Sequence, residues 1–211
     1  MMKTTLKELK SWGTCGDGYD KVLKVLGTDY GDTTPIELLD IAKHKTSTVG
    51  DIFWLLNKFQ LDKGLEKDLR LFSCDCAERV LPFFESIYPE DHRIRSCIEK
   101  TRAYILSDIE RHAMIHARKA ASVTSYDYAS AASYAVAPYA PYADYASHAA
   151  AAYAAHAAVY GGVSGATYAT DAAAYAAAAA TDGDADIHCV VARGEERKTQ
   201  KAQLIEIIAK Y

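Results

Sequence analysis

Leu65-Glu-Lys-Asp-Leu69-Arg-Leu-Phe72-Ser-Cys-Asp-Cys76-Ala-Glu-Arg-Val80-Leu-Pro-Phe83 decides the fold of this 211-residue chain. Leu65, Leu69, Phe72, Cys76, Val80 and Phe83 recur at steps of three and four residues. That spacing lines one side of an α-helix with apolar groups and demands a partner surface to bury them. The pattern predicts a helix from Leu65 to Tyr88, kinked at Pro82, where a backbone N–H is missing, and ended by Pro89. Asp91 then opens a second helix through Ile94, Ile98, Thr101 and Ile105. Ser107-x-x-Glu110 has the form of a capping box and starts a third, reaching to about Ala121.

Upstream, residues 1–63 read as short helices with clear punctuation. Thr34-Pro35-Ile36-Glu37 offers a capping hydroxyl, a proline at the first helical position and a glutamate three residues after the cap. Thr48 to Asp51 opens the next helix, whose Ile52, Phe53, Trp54, Leu55 and Leu56 are too apolar to stay in water. Trp12-Gly13-Thr14-Cys15-Gly16-Asp17-Gly18 is a glycine-rich turn with Trp12 directed inward. Its glycines lack phosphate-loop spacing, and no Gly-Lys-Ser/Thr follows. At the other end, Glu195 to Tyr211 forms a final helix with Leu204, Ile207, Ile208 and Tyr211 on one stripe.

Residues 122–186 contain only nine residue types: Ala, Tyr, Ser, Thr, Val, Asp, Gly, His and Pro. Alanine has the highest helix propensity, so this block is helical between its breakers. Pro138 and Pro141, then Gly161, Gly162 and Gly165, then Gly183 leave helices near 125–137, 142–160 and 166–181. Tyrosines return every seven or eight residues, as in Tyr145-Ala-Ser-His148 and Tyr153-Ala-Ala-His156. At about 100° per residue, Tyr142, Tyr153 and Tyr160 fall within roughly 20° of one another, with Tyr145 and His156 beside them. One face is aromatic and the other almost pure alanine, which lets helices approach closely. The expected architecture is therefore all-α, an array of eight or nine short antiparallel helices with no sheet. Its parts are an N-terminal helical subdomain at 1–63, an amphipathic core at 64–121, the Ala/Tyr array at 122–186, and a last helix at 187–211 that packs back on the core.

Charge narrows the classes of function. The net charge of −4 and pI near 6 provide no global basic field for long nucleic acid or an acidic membrane. Asp144, Asp171, His148 and His156 interrupt the alanine run, so no membrane span is expected. Five scattered cysteines, an odd number, suit reduced thiols in a cytoplasm, and Met1 to Lys10 lacks the apolar core of a signal peptide. Residues 91–121 carry seven Lys and Arg against four Asp and Glu, whereas 122–186 carry six Asp and no cation.

Four groups could carry chemistry. His112 and His116 sit one helical turn apart, a spacing that holds half of a transition-metal site. No third ligand is evident, so neither metal nor other cofactor is expected. Cys74 and Cys76 point to nearly opposite sides of their helix and cannot share a metal; Cys76 belongs to the core stripe. The basic stretch, including Arg111 and Arg118, is either a solvated face paired with Glu99, Glu110 and the acidic block, or a wall for anions, since guanidinium forks suit phosphate. The tyrosine stripe is either core packing or a recognition face, tyrosine being a favoured residue of binding surfaces. The expected ligand- or partner-binding set is Tyr142, Tyr145, Tyr153, His156, Tyr160, Arg111, His112 and Arg118.

Arg70-Leu-Phe-Ser-Cys-Asp-Cys-Ala-Glu-Arg-Val-Leu-Pro-Phe-Phe-Glu85, Pro89-Glu-Asp-His-Arg-Ile-Arg-Ser-Cys-Ile-Glu99 and the final Glu195-Glu-Arg-Lys-Thr-Gln200 resemble the immunity protein family of bacterial toxin–immunity loci. The Trp12…Cys15…Gly18 turn and Asp51-Ile-Phe-Trp-Leu-Leu56 look like its phage- and prophage-borne members, in which an alanine-rich helical array follows the motif. Relatives' arrays carry interspersed arginine and tryptophan as well as aspartate, whereas this one carries tyrosine and histidine with no positive charge. If the array reads the target, the target differs from theirs. The resemblance supplies no catalytic residues. It implies a non-enzymatic cytoplasmic protein that sequesters a component of a toxin or anti-phage defence system, either a protein effector or a small nucleotide signal. Two other classes stay open on the sequence: a metal-dependent hydrolase built on His112 and His116, and a structural protein whose alanine–tyrosine helices serve homo-oligomerisation.

Overall fold

A computed structural model describes residues 2–13, 18–27, 30–85, 88–106 and 186–211, with positions 112, 113, 115, 116, 119, 166 and 170. The protein is mostly helical: 70% of the described residues lie in helices, as the sequence patterns require. The elements are β1 (Lys3–Thr4), α1 (Leu6–Ser11), α2 (Gly18–Leu26), β2 (Ile36–Glu37), α3 (Leu38–Lys43), α4 (Val49–Leu56), α5 (Lys63–Glu85), α6 (Arg93–Ile105) and α7 (Asp186–Ile208). The helices expected near 125–137, 142–160 and 166–181, and the Ser107 capping box, lie outside the described residues except for Ala166 and Thr170. The chain divides into two compact units, Met1–Leu65 with Lys201–Tyr211, and Glu66–Gln200.

The first unit corrects the expectation of a sheet-free chain. β1 and β2 pair antiparallel, Lys3 opposite Glu37 and Thr4 opposite Ile36. The Thr34-Pro35-Ile36-Glu37 capping box does not form. Helix α3 starts later, at Leu38, and its N-cap Glu37 makes no side-chain capping bond. The reason is long-range. Ile36 buries its side chain to 2% exposure in extended backbone beside Thr4, and the Leu38 N–H continues the pairing by donating to the Met2 carbonyl at 3.0 Å. A buried β-branched residue with paired backbone groups outweighs a local cap worth about 1 kcal/mol.

The Thr48 box does form. The Thr48 hydroxyl accepts from the Asp51 N–H at 3.1 Å, and the Asp51 carboxylate accepts from the Thr48 N–H at 2.8 Å. It opens α4, where Val49, Ile52, Phe53, Leu55 and Leu56 are buried. Trp54 stays half-buried, edge-on to Trp12 with ring centroids 6.4 Å apart. Trp12 also meets Phe59 edge-on at 5.9 Å, so it is turned inward as expected. Gly13, at φ 65°, supplies the left-handed residue that takes the chain out of α1. Thr48→Ala should cost about 1 kcal/mol, read as a lower urea midpoint with unchanged slope.

The end of α7 completes this unit. Leu204, Ile207 and Ile208 are buried, and the Lys201 ammonium donates to the His44 carbonyl at the end of α3, at 2.6 Å. Burial pulls the Lys201 pKa below its ordinary value, against the opposing pull of Asp51. Asp62 caps α5 by accepting from the Leu65 N–H at 2.8 Å. Gly64 beside it lets Tyr211 approach: a Cβ there would lie 2.9 Å from the tyrosine hydroxyl.

In the second unit α5 is buried on more than one stripe. Leu69, Phe72, Cys76, Ala77 and Cys74 are all fully enclosed. It begins at Lys63, continues through Pro82 and ends at Glu85. From α6, Ile94, Cys97, Ile98 and Thr101 are buried, and from α7, Glu196 and Gln200. Ala166 and Thr170, four residues apart, are buried as well.

Candidate functional site

Two charged residues define the best-built polar site among the described residues. Glu196 and Gln200 are spaced four apart on α7 and therefore share one face. Opposite them, Arg79 extends from α5, one turn after Cys76. Its Nε and Nη2 both reach the Glu196 carboxylate, at 3.1 Å and 2.9 Å, a two-pronged pairing that a guanidinium fork makes well. Glu196 is only 8% exposed, so this bond lies in a poorly solvated setting. Gln200, fully buried, donates from Nε2 to Glu196 Oε1 at 2.8 Å and to the Thr170 carbonyl at 3.0 Å. Arg79 Nη2 also donates to Cys76 Sγ at 3.2 Å. Burial works against the Arg79 charge, but the hydrogen bonds and charge of Glu196, with the Cys76 thiol, hold its pKa above the ordinary value.

A second cross-helix contact links α5 to α6. Arg102 of α6 bridges Asp75 at 2.6 Å and Glu78 at 2.5 Å. Arg95 pairs with Glu85, and Arg93 with Asp91 at the start of α6. These groups are half-exposed, so each pair is worth about 0.2–1 kcal/mol at most. Three cations of the basic stretch thus meet acids from α5 and from the α6 entry, a pairing that the expected partners Glu99 and Glu110 did not include.

The thiols fit this two-sided packing. Cys74 lies near Arg102 and Cys97, Cys76 near Arg79 and Glu196, as opposite faces of α5 require. Burial pushes both up to about 12, outweighing Arg102 in one case and Arg79 in the other. A thiol held protonated is a poor nucleophile and a poor metal ligand. A thiol-reactive dye at pH 8, followed by peptide mapping, should leave Cys74, Cys76 and Cys97 unmodified in the folded chain and modify all three in guanidinium. The folded values exceed the ordinary 9.0. The stability they contribute is therefore complete below pH 9 and is lost as pH rises towards 12.

Of the binding residues expected from sequence, Tyr142, Tyr145, Tyr153, His156, Tyr160, Arg111 and Arg118 lie outside the described residues. His112 is described, exposed and helical, as is His116. Among the described residues no group of three or more His, Cys, Asp or Glu is placed to hold a metal ion, and no helix is long and apolar enough to cross a membrane. Sequence reasoning passed over Arg79, Glu196, Gln200 and Thr170 as a site. The signal was that Arg79 falls inside the Arg70–Glu85 family-like motif, and Glu196, Arg197 and Gln200 inside the final one.

The fold and site define a mostly helical domain, closed by a buried ion pair and with Cys74 and Cys76 held protonated. Residues 60–207 match the family described as Imm-5 like putative immunity protein, and the chain belongs to that family. The match takes in all of α5 and α6, all but the last residue of α7, and with them the Arg79–Glu196–Gln200 network. Searches of the curated proteins and of the solved structures found no match. The family brings with it an immunity role.

Proposed function

We propose that this protein is a non-enzymatic immunity protein that binds and neutralises a component of a bacterial toxin or anti-phage defence system, acting in the cytoplasm of a bacterial or phage-infected cell. The observation that carries the reading is the family match across 60–207. Its non-catalytic character is supported by how the described polar groups are used: Arg79, Glu196 and Gln200 satisfy one another, and burial keeps Cys74 and Cys76 protonated.

Recognition falls to the tyrosine-rich face of the alanine array, Tyr142, Tyr145, Tyr153, His156 and Tyr160, with Arg111, His112 and Arg118 supplying donors and charge. Tyrosine rings stack on a base or pack on a protein, and guanidiniums pair with phosphate or carboxylate. The test is Tyr→Ala at Tyr145, Tyr153 and Tyr160, scored for melting temperature and for growth rescue in toxin-expressing cells. A recognition ring should lose rescue at an unchanged melting temperature, whereas a core ring costs about 3–5 kcal/mol. If every loss of rescue tracks a loss of stability, this site assignment fails. Mass spectrometry of what the purified chain retains from those cells separates a protein target from a nucleotide.

A further inference from the structure

Gln200 is wholly buried, and both ends of its amide meet polar partners. The NH2 faces two acceptors, the Thr170 carbonyl at 3.0 Å and Glu196 Oε1 at 2.8 Å. The oxygen accepts from Arg197 Nη1 at 3.3 Å. These partners fix the orientation of the amide, because a flipped group would set oxygen against oxygen and NH2 against a guanidinium. Two donors and an acceptor on a side chain of this length are what glutamine alone offers. Glu196 is itself held from α5 by both prongs of Arg79. The chain of bonds therefore runs from α5 through α7 to a backbone carbonyl, and Thr170, 1% exposed, belongs to the alanine-rich segment 30 residues away in sequence.

We infer that Gln200 is a positioning residue, anchoring the alanine- and tyrosine-rich segment to α7 at Thr170, with the Arg79–Glu196 pair holding its amide in place. The functional meaning of this anchor rests on the proposed reading, since that segment carries the recognition tyrosines. The anchor itself is tested without any partner. Family motif residues in α7 then serve to place the recognition segment and stay clear of the target.

The experiment is amide hydrogen exchange on the full chain, comparing wild type, Gln200→Met and Gln200→Glu at pH 8 and at about pH 4.5, near the ordinary carboxyl value. Methionine keeps the length and volume but donates nothing. In that variant a peptide spanning 166–170 should exchange roughly tenfold faster than wild type or more at both pH values, while peptides from α5 and α6 stay protected. The carboxyl introduced by Gln200→Glu faces Glu196 and Arg197 on α7, and Arg79 and the protonated Cys76 on α5. Ionised at pH 8, it cannot donate to Thr170 and adds a like charge beside Glu196, so the same peptide should open. Full burial beside Glu196 favours the neutral form, so at the lower pH the carboxyl is protonated and regains one donor, and protection should largely return. Unchanged exchange at 166–170 in both variants would overturn the anchor. So would equal acceleration across α5 and α6, or a Gln200→Glu effect independent of pH. Should Gln200→Met not fold, the two pH arms of Gln200→Glu decide. Correct exchange behaviour combined with unaltered rescue in the tyrosine series leaves the anchor standing and sinks the recognition reading instead.

Discussion

Glu196→Ala should destabilise the protein by about 2–4 kcal/mol, measured as a fall in urea midpoint. The removed carboxylate accepts both prongs of Arg79 and one N–H of Gln200. Its loss strands a guanidinium on one side and an amide donor on the other, both in poorly solvated positions. Removing one member of a fully buried ion pair costs about 3–5 kcal/mol. Arg79 keeps 28% of its side chain exposed, and water reaching it lowers the figure. A double-mutant cycle isolates the pair from the packing. The cycle runs through Arg79→Met, Glu196→Leu and the double variant, all of which retain apolar volume. The double variant should be more stable than Glu196→Leu alone, because it no longer strands the guanidinium. If the double variant is the less stable, the two losses simply add and the ion pair is incidental.

Local features were the legible ones. The three- and four-residue stripe gave α5 to within two or three residues at each end. The Thr48–Asp51 box and the Leu204, Ile207, Ile208 stripe were readable because all their parties lie within a turn or two of chain. What the sequence hid depends on distance. Thr34-Pro35-Ile36-Glu37 has every local mark of a helix start, and only the pairing of Ile36 with Thr4, a contact across some thirty residues, turns it into a strand. Arg79 and Glu196 lie 117 residues apart, and Lys201 and His44 157 apart. No periodicity links such partners. Cys74 illustrates the same limit: helical geometry set it opposite Cys76, but its burial required knowing that α6 supplies Arg102 and Cys97 on that side. The tyrosine face is legible as a pattern, and its positions fall outside the described residues, so its test is functional.

Phe53→Ala should give the largest loss of any single change in the N-terminal unit, about 3–5 kcal/mol. The ring is 1% exposed, on a helix where five of eight residues are buried. Truncation removes its transfer free energy and leaves a cavity that close-packed neighbours cannot fill. Trp54, next along the chain, is the control. Its ring is larger but half-buried, touching Trp12 edge-on and taking the Lys58 ammonium at 5.1 Å from its centre. Edge-on aromatic contacts are worth about 0.5–1.5 kcal/mol, and an exposed cation over a ring about 0.5–1 kcal/mol. Trp54→Ala should therefore cost about 1–2 kcal/mol on those terms. The order is opposite to that of ring size, which makes the comparison diagnostic: burial, and not aromatic area, sets the cost. Residues 1–59 lie outside the family match, so this unit's core has to be established on its own. Chemical denaturation of both variants supplies the measurement. If Trp54→Ala proves as costly as Phe53→Ala, then α4 presents a different face to the core than the one described.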